Sequence, residues 1–336
     1  MKFIRKFCIL FMIIAVLLCS ACNFNSKADK EFFAMDTIMK ITAYGSNSES
    51  AVSVAEGEIN RLDALLSVQN ENSEIYKLNL VKSINASKDT LALLRRAMEL
   101  YTLTDGAFDI TTEPLSRAWG FYSGLENRIP SQKELDNALK TIGAEHIKID
   151  KNNVTLNENT SLDLGGIAKG YASAKAALTL EENGISSALI SLGGNVRVVG
   201  SRPDGSDWTV AIADPDDNSK HIGTLSVSHT AVITSGDYQR FFEANGQIYH
   251  HIIDTETGYP AKSGLRSVTV VSEDDVLADA LSTGLFVMGL EKSSKLYSEN
   301  NTLFGAVFVT DKNEIYVTDN LKNSFSSQLS FEVIKI

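Results

Sequence analysis

The order of helical and strand patterns along the chain constrains its fold more than any other feature. Apolar residues at helical spacing occupy several segments before residue 184, whereas short apolar runs typical of strands dominate after residue 187. The two patterns do not alternate as regular βαβ units, and Gly-, Asp- and Asn-rich turns separate the strands. The sequence therefore predicts an α+β protein with mixed, largely antiparallel sheets and flanking helices.

Capping signals mark two of the predicted helices. Ser87 precedes an apolar stripe, and Ser131 with Glu134 forms a capping box whose helix is expected to stop at Gly143. No linker signal divides the chain after residue 30, so one domain is expected over residues 31–336. The other predicted elements are helices at 49–66 and 169–183; strands at 33–44, 187–191, 195–200, 208–213, 248–253, 267–271, 303–309 and 315–317; and hairpin turns at 203–206 and 214–220.

The first residues have the pattern of a bacterial lipoprotein leader. Three basic residues precede about a dozen apolar ones and the sequence Cys-Ser-Ala-Cys, which ends at Cys22, and the apolar stretch is too short to span a bilayer. The pattern predicts a signal peptide at 1–21, lipidation at Cys22 and a polar tether at 22–30. The protein is then expected to be extracytoplasmic and lipid-anchored to the cell membrane. An uncleaved N-terminal anchor is the alternative.

Cysteine placement and net charge exclude several classes of function. All three cysteines lie in the leader, so the body has no disulfide, thiolate zinc site or cysteine nucleophile. Without the leader, 28 basic residues stand against 42 acidic ones, a net charge near −14. Such a body is not expected to bind nucleic acid, and it needs a cation to hold an anionic nucleotide.

The segment 249–288 carries the densest chemistry. Asp279 and Thr283 are four residues apart in a helical pattern, so their oxygens project from one helix face, an arrangement that suits Mg²⁺ or Ca²⁺. His250 and His251 precede the predicted strand, and a turn follows at Asp254, which places His251 and Asp254 near a strand end. The alternatives are a first-turn Asp with a back-bonding Thr, and two surface histidines.

Two other segments have the composition of ligand-binding turns. LDLGGIAKGY at 162–171 places a strand end against two glycines and a helix start, where backbone can approach a phosphate. It matches neither the dinucleotide fingerprint nor the P-loop, and a plain turn before a helix is the alternative. GAFD at 106–109 is better interpreted, from the residues alone, as a turn followed by a core Phe. Ser235 has no nucleophile elbow around it, so acyl transfer is not expected.

Taken in order, these segments and several others resemble the FAD:protein FMN transferases, the ApbE-type flavin transferase lipoproteins. The resemblance runs from about residue 35 to residue 288. It departs from the usual pattern at Gln69, where an aromatic residue is common, and at Ala174, where Asp is usual. The matching pieces are MDT at 35–37, SEIYKLN at 73–79, GAFDITTEPLSRAWGF at 106–121, LDLGGIAKGYA at 162–172, SLGGN at 191–195, TSGDYQRFFE at 234–243, HIIDTETGYP at 251–260 and ADALST at 278–283.

The resemblance implies a T-fold-like architecture with a nucleotide cleft between two lobes. It implies that FAD is the substrate and Mg²⁺ the cofactor. Because an alcohol is a poor nucleophile at neutral pH, His251, with an unperturbed pKa of about 6.5, is the natural general base, and Asp254 is expected to orient or replace it. The implied FAD contacts are Met35, Ala107, Phe108, Asp109, Gly165, Lys169, Tyr171 and Ile253, and the implied metal ligands are the Ala168 carbonyl, Asp279, Ser282 and Thr283.

The activity that the resemblance implies is transfer of FMN from FAD to a Thr or Ser hydroxyl of an extracytoplasmic acceptor protein, with release of AMP. The expected acceptors are membrane-linked redox subunits that carry covalent FMN. Two alternatives stay open at this point. One is metal-dependent FAD hydrolysis to FMN and AMP, and the other is a non-catalytic lipoprotein that stores or delivers FAD.

Overall fold

The computed structural model describes residues 26–335, and the predicted signal peptide and Cys22 lie outside this range. Within it, the chain forms seven helices and four sheets, so the expected α+β class is confirmed. No helix between residues 26 and 335 is both long enough and apolar enough to cross a membrane.

A nine-stranded sheet organises the fold, in the order β1-β2-β6-β7-β10-β13-β14-β15-β17. Neighbouring strands are antiparallel except β15 and β17, which pair in parallel. Smaller sheets join β3-β5-β4, β16-β9-β8 and β11-β12. The strands are β1 (Lys27–Ala34), β2 (Thr37–Tyr44), β3 (Ser83–Asn85), β4 (Ile147–Asp150), β5 (Asn153–Leu156), β6 (Ser187–Leu192), β7 (Asn195–Val199), β8 (Trp208–Asp214), β9 (Asp217–Val227), β10 (Ala231–Gly236), β11 (Phe241–Ala244), β12 (Gln247–His250), β13 (Leu265–Ser272), β14 (Gly305–Thr310), β15 (Ile315–Thr318), β16 (Phe325–Ser326) and β17 (Phe331–Ile334).

The helices begin where the sequence places capping residues. The Ser87 hydroxyl accepts from the amide of Thr90, and Ser131 and Glu134 form the expected capping box. Gly289 interrupts the last helix with a φ of 76°, so two helical segments meet there at a kink. The helices are α1 (Ser48–Leu66), α2 (Glu74–Val81), α3 (Lys88–Leu103), α4 (Glu113–Trp119), α5 (Gln132–Leu139), α6 (Ala168–Glu182) and α7 (Asp275–Asn300).

Apolar side chains bury both faces of the large sheet. On one face α1, α6 and α7 pack over strands such as β2, β6 and β13 to form the main core. On the other face a second cluster joins β13, β14 and β15 to the three-stranded sheet of β8, β9 and β16. A third, smaller cluster surrounds the fully buried Trp119 and includes α4, α5 and Ile253. This Trp119 cluster forms a separate lobe beside the main body.

The N-terminal strand prediction needs correction. Instead of one strand over 33–44, β1 and β2 form a hairpin, because Met35 and Asp36 both adopt positive φ, 47° and 59°. Two consecutive positive φ values define the tight turn that matches the twist of a hairpin. Strand β1 also begins at Lys27, so the last part of the predicted tether is paired with β2.

Two later predictions also differ from the structure. The strand expected over 248–253 ends at His250, so His250 is the last residue of a strand and His251 follows it, and neither precedes a strand. Strand β9 covers much of the turn expected at 214–220, because only Pro215 and Asp216 separate β8 from β9. The start of β9 is polar, and its pairing with β8 is irregular there, because the register shifts around Ala213.

Candidate functional site

A cleft of about 700 Å³ lies between the main body and the Trp119 lobe. The main body contributes the β1–β2 turn, the glycine segment at 165–169, the end of β10 and one face of α7. The lobe contributes residues 121–123 and 251–253. Most of the predicted site residues line this cleft: Met35, Ala107, Phe108, Asp109, Gly165, Ala168, Lys169, His251, Ile253, Asp279 and Thr283.

Close contact between α6 and α7 sets the position of Asp279. A β-carbon on Gly170 would lie 2.4 Å from the Asp275 carbonyl oxygen, so only glycine allows the two helices to approach this closely. The approach lets the Gly170 amide donate to Asp279 Oδ2 at 2.7 Å. Asn195 Nδ2 donates to the other carboxylate oxygen at 2.9 Å. The carboxylate is therefore buried, fixed by two neutral donors and left without a cationic partner among the described residues.

Three hydroxyl groups continue the site beside this carboxylate. Ser235 Oγ lies 2.7 Å from Ser282 Oγ and 3.3 Å from Thr283 Oγ1. Ser282 is fully buried, donates to the Asp279 carbonyl and does not line the cleft, whereas Ser235 and Thr283 do. The sequence predicts that Ser282 joins the metal site through its hydroxyl or through water, and the structure places that hydroxyl behind Ser235 and outside the cleft lining. Its hydroxyl supports Ser235, because α7 turns it toward β10.

The oxygen donors at this point fit a hard divalent cation. Among residues 26–335, no group of three or more His, Cys, Asp or Glu side chains could hold a metal. Asp279, Thr283 and Ala168 nevertheless line one wall of the cleft and together offer a carboxylate, a hydroxyl and a backbone carbonyl. Mg²⁺ is commonly held by one or two carboxylates together with substrate phosphates, so a site with a single carboxylate suits a cation that arrives with a phosphorylated ligand.

Charge in the cleft supports the same conclusion. Its lining includes five aspartates, at 36, 63, 109, 163 and 279, but only two basic residues, Lys169 and Arg240. Burial raises the pKa of Asp109, although the Thr111 amide and hydroxyl both donate to it at 2.7 Å. A diphosphate entering a cleft of this composition would be repelled unless a cation accompanied it.

The glycine segment at 165–169 closes the cleft beside α6. A β-carbon on Gly166 would lie 3.3 Å from the Phe108 ring and 3.6 Å from Thr283 Oγ1, so this backbone sits between the two predicted contacts. Asp163 Oδ1 accepts from the Gly165 amide, and its Oδ2 accepts from the Tyr122 hydroxyl at 2.6 Å. Lys169 Nζ donates to the Gly165 carbonyl at 3.3 Å, and Lys169 lines the cleft.

His251 also lines the cleft, and its hydrogen bond defines its tautomer. Its amide donates to the Arg240 carbonyl at 3.0 Å, and its Nδ1 lies 3.2 Å from the same oxygen. Because a carbonyl only accepts, Nδ1 carries the proton and Nε2 keeps a free lone pair. Burial, and next the positive charge of Arg240, lower the pKa of His251 to about 3, so the imidazole is neutral at pH 7.

Two predicted site residues lie elsewhere. Asp254 accepts from the Glu256 amide at 2.8 Å, and no hydrogen bond of the described residues joins it to His251. The turn holds this carboxylate, and the Arg240 carbonyl orients the histidine instead. Tyr171 donates to Asp89 at 2.7 Å and does not line the cleft, because it projects from another face of α6.

Several cleft residues were not among the site residues predicted from the sequence. Asn195 and Ser235 fix Asp279 and Thr283 from strands β7 and β10, and Arg240 stands beside His251. Their only sequence signal was membership of the segments SLGGN and TSGDYQRFFE, which contain a turn and strand ends. Gln69 also lines the cleft and donates to the Ser123 carbonyl at 2.9 Å.

The fold and the cleft define an α+β protein with a polar ligand-sized cleft lined by carboxylates, hydroxyls and glycine backbone. A family model described as the ApbE family matches residues 35–308. The chain belongs to the ApbE family. The α+β fold with mixed sheets is that of solved ApbE structures.

Named relatives cover most of the chain. It is 31% identical over 280 residues to the FAD:protein FMN transferase of Haemophilus influenzae, covering 79% of this chain and 80% of that protein. It is 34% identical over 254 residues to the protein of the same name from Vibrio cholerae, covering 73% and 75%. The ApbE protein of Thermotoga maritima superposes with a TM-score of 0.83 at 32% identity, covering 89% of this chain and 99% of that one.

Proposed function

We propose that the protein is an FAD:protein FMN transferase that uses Mg²⁺. The observation that carries the proposal is that one cleft is lined by Asp279, Thr283 and Ala168 together with a neutral His251. The relatives that share this fold over three quarters or more of their length are named for the same reaction. The excess of aspartates in the cleft supports the cation requirement.

The reaction exchanges one phosphorus–oxygen bond for another. The acceptor hydroxyl oxygen bonds to the phosphorus of the FMN half of FAD, the diphosphate bond breaks, and AMP leaves with the bridging oxygen. Such transfers ask the protein mainly for positioning and charge neutralisation. When bound, Mg²⁺ would neutralise the diphosphate, held by Asp279, Thr283 and the Ala168 carbonyl. Lys169 supplies a second positive charge from the glycine segment.

His251 is the proposed general base. The protonated Nδ1 faces the Arg240 carbonyl, so Nε2 is the nitrogen that can accept the acceptor hydroxyl's proton. Because the ring is neutral at pH 7, no proton has to be removed from it beforehand. Phe108 and Gly166 form an apolar and backbone surface on the glycine side of the cleft, where the nucleotide can lie close to the chain.

Location and partners extend the proposal. We infer lipidation at Cys22, an extracytoplasmic site on the cell membrane, and acceptors that are membrane-linked redox subunits carrying covalent FMN. The support is the leader sequence, with its basic residues, apolar run and terminal Cys22. Fatty-acid labelling and membrane fractionation of Cys22→Ala test the anchor. Unchanged labelling of this variant would exclude it.

The test of the activity follows AMP and covalent flavin separately. The protein is incubated with FAD and Mg²⁺, with and without a soluble fragment of a redox subunit that accepts FMN on threonine. A fragment in which this threonine is replaced by alanine is the control. Transfer requires AMP release that depends on the fragment and equals the flavin bound to it.

The other outcomes identify the alternatives. AMP formed equally without the fragment would show an FAD diphosphatase. FAD binding without AMP under any condition would show a storage or delivery protein. Activity that survives chelation of divalent cations would exclude the role of Mg²⁺.

A further inference from the structure

The hairpin formed by β11 and β12 begins and ends at the cleft. Arg240 immediately precedes β11, His251 immediately follows β12, and both line the cleft. The inner face of the hairpin packs Phe242 and Tyr249 against Trp119. The hairpin is therefore anchored in the lobe, while its other face and its outer edge point away from that contact.

The register of the hairpin shows which backbone groups face the outer edge of β12. His251 donates to Arg240, so these two residues form a hydrogen-bonded pair of the antiparallel ladder. Bonded and non-bonded pairs alternate, so Phe241–His250 and Glu243–Ile248 are non-bonded pairs. The N–H and C=O groups of Ile248 and His250 therefore point outward, away from β11. Among the described residues, no backbone group pairs with them.

A groove runs along this same edge. After His251 the chain turns back, and the Ala261 amide donates to the Ile252 carbonyl. This pairing stops there, and the returning segment diverges from β12. The gap is a pocket of about 330 Å³, lined by residues 247–250 on one side and 259–262 on the other. His250 closes its floor, 92% buried, with Nε2 at 3.1 Å from the Ala261 carbonyl and with Nδ1 unpartnered.

Two large apolar side chains stand exposed beside the groove. Ile248 is 59% exposed and Phe241 is 48% exposed, and both project from the outer face of the hairpin. They are diagonal neighbours across the two strands, which is within reach for side chains of this size. An isolated edge strand is usually protected by charge or by a covering segment, and Ile248 provides neither.

We propose that this groove docks an extended segment of the acceptor protein, which adds a strand to the free edge of β12. The inference rests on the proposed function, since it names the surface by which the acceptor is recognised. Strand addition uses main-chain hydrogen bonds at alternate residues, and Ile248 and His250 offer that spacing. Ile248 and Phe241 supply the apolar contact that holds the segment against the hairpin.

The position of the groove explains why the acceptor in particular would bind there. Its inner end is His250, and the next residue is His251 in the cleft, about 3.8 Å away along the backbone. The pairing of Ile252 with Ala261 closes the groove beyond this point, so a docked segment has to leave it beside His251. A hydroxyl carried by that segment is then delivered next to the proposed base.

The test compares two proline substitutions on the same hairpin. Ile248→Pro removes the N–H that faces the groove, and Glu243→Pro removes the N–H on the opposite edge, from the residue paired with Ile248. FMN transfer to the acceptor fragment is measured against fragment concentration. Ile248→Pro is expected to raise the KM for the fragment at least tenfold, with FAD affinity and kcat within twofold. Glu243→Pro is expected to leave the KM within twofold.

A measurement on the unmodified protein covers the case in which Ile248→Pro fails to fold. Amide exchange at single residues is followed by NMR with and without the fragment, without FAD, so that no turnover is needed. With the fragment present, hydrogen exchange of the Ile248 amide is expected to slow at least tenfold, and exchange of the Glu243 amide is expected to stay unchanged. Equal KM values for both variants, or an Ile248 amide that the fragment does not protect, would overturn the docking site. Loss of transfer in the unmodified protein with protection retained would overturn the proposed function alone.

Discussion

Gly170→Ala tests whether the spacing of α6 and α7 sets the carboxylate. The new β-carbon would lie 2.4 Å from the Asp275 carbonyl oxygen and 2.7 Å from the β-carbon of Asp279, and both neighbours are rigid. Restoring ordinary contact requires a displacement of about 1 Å, since such contacts begin near 3.4 Å. The same movement would stretch the bond from the Gly170 amide to Asp279, which is 2.7 Å long, beyond hydrogen-bonding distance.

The expected change in the free energy of unfolding has two destabilising contributions and one stabilising contribution. Overpacking costs about 1–3 kcal/mol. Loss of a hydrogen bond to a charged group costs about 1.5–3 kcal/mol. Alanine in place of glycine inside a helix returns about 0.5–1 kcal/mol. The free energy of unfolding should therefore fall by about 1.5–5.5 kcal/mol, and the Mg²⁺ concentration for half-maximal AMP release should rise.

Urea unfolding and Mg²⁺ titration of AMP release measure these two effects. Gly57→Ala is the matched control, because Gly57 is exposed on α1 and its β-carbon would meet no atom within 4 Å. This control should gain about 0.5–1 kcal/mol and leave the Mg²⁺ dependence unchanged. A free energy of unfolding for Gly170→Ala within about 0.5 kcal/mol of the original protein, with an unchanged Mg²⁺ dependence, would show that the spacing of α6 and α7 does not set the carboxylate.

Three other predictions concern the chemistry of the cleft. Asp279→Ala should abolish Mg²⁺-dependent AMP release more completely than Thr283→Ala, because Asp279 is the only carboxylate among the proposed ligands and water can partly replace the neutral hydroxyl of Thr283. A larger Thr283→Ala defect in Mg²⁺ titrations would mean that the metal site is misplaced. His251→Ala should keep FAD binding, measured by flavin fluorescence, while transfer falls by roughly 10²–10⁴, and a loss within about threefold would assign the base elsewhere. Because the pKa of His251 is lowered, the base stays neutral as the pH falls through 6.5, so the transfer rate should not decline with a midpoint at pH 6.5. Arg240→Met removes one cause of the lowered pKa and should move the decline of the transfer rate in acid to higher pH. A pH–rate profile that this substitution leaves unchanged would contradict the role of Arg240.

Local patterns predicted the elements that hold most of the site. The capping residues Ser87 and Ser131, and the spacing of Asp279 and Thr283 on a helix, are confirmed by the structure. These features depend on hydrogen bonds and side-chain periods within one turn or a few residues, which the sequence displays directly. The glycine pair at 165–166 likewise lies in the turn before α6, although its role as a wall beside Phe108 was visible only in the structure.

Predictions that required knowledge of a distant partner were less successful. The sequence offered Asp254 as the neighbour of His251, because the two are three residues apart, but the Arg240 carbonyl holds that ring from the other strand of the hairpin. Tyr171 follows the glycine segment directly, yet the rotation of α6 directs it to Asp89. Met35 was expected inside a strand, but it adopts a positive φ in the β1–β2 turn, and no feature of the sequence indicated this.

The sequence by itself determined the class of fold, the family and the list of chemically able residues, because periodicity, capping and motif order are local properties of the chain. Tertiary structure decided which of these residues share the cleft. Asn195 lies 84 positions from Asp279 and Ser235 lies 48 from Thr283, and only the antiparallel sheet and the close packing of α6 on α7 bring them within hydrogen-bonding distance. The free edge of β12 was likewise hidden, because an unpaired backbone group has no sequence signature and depends on where the returning chain diverges.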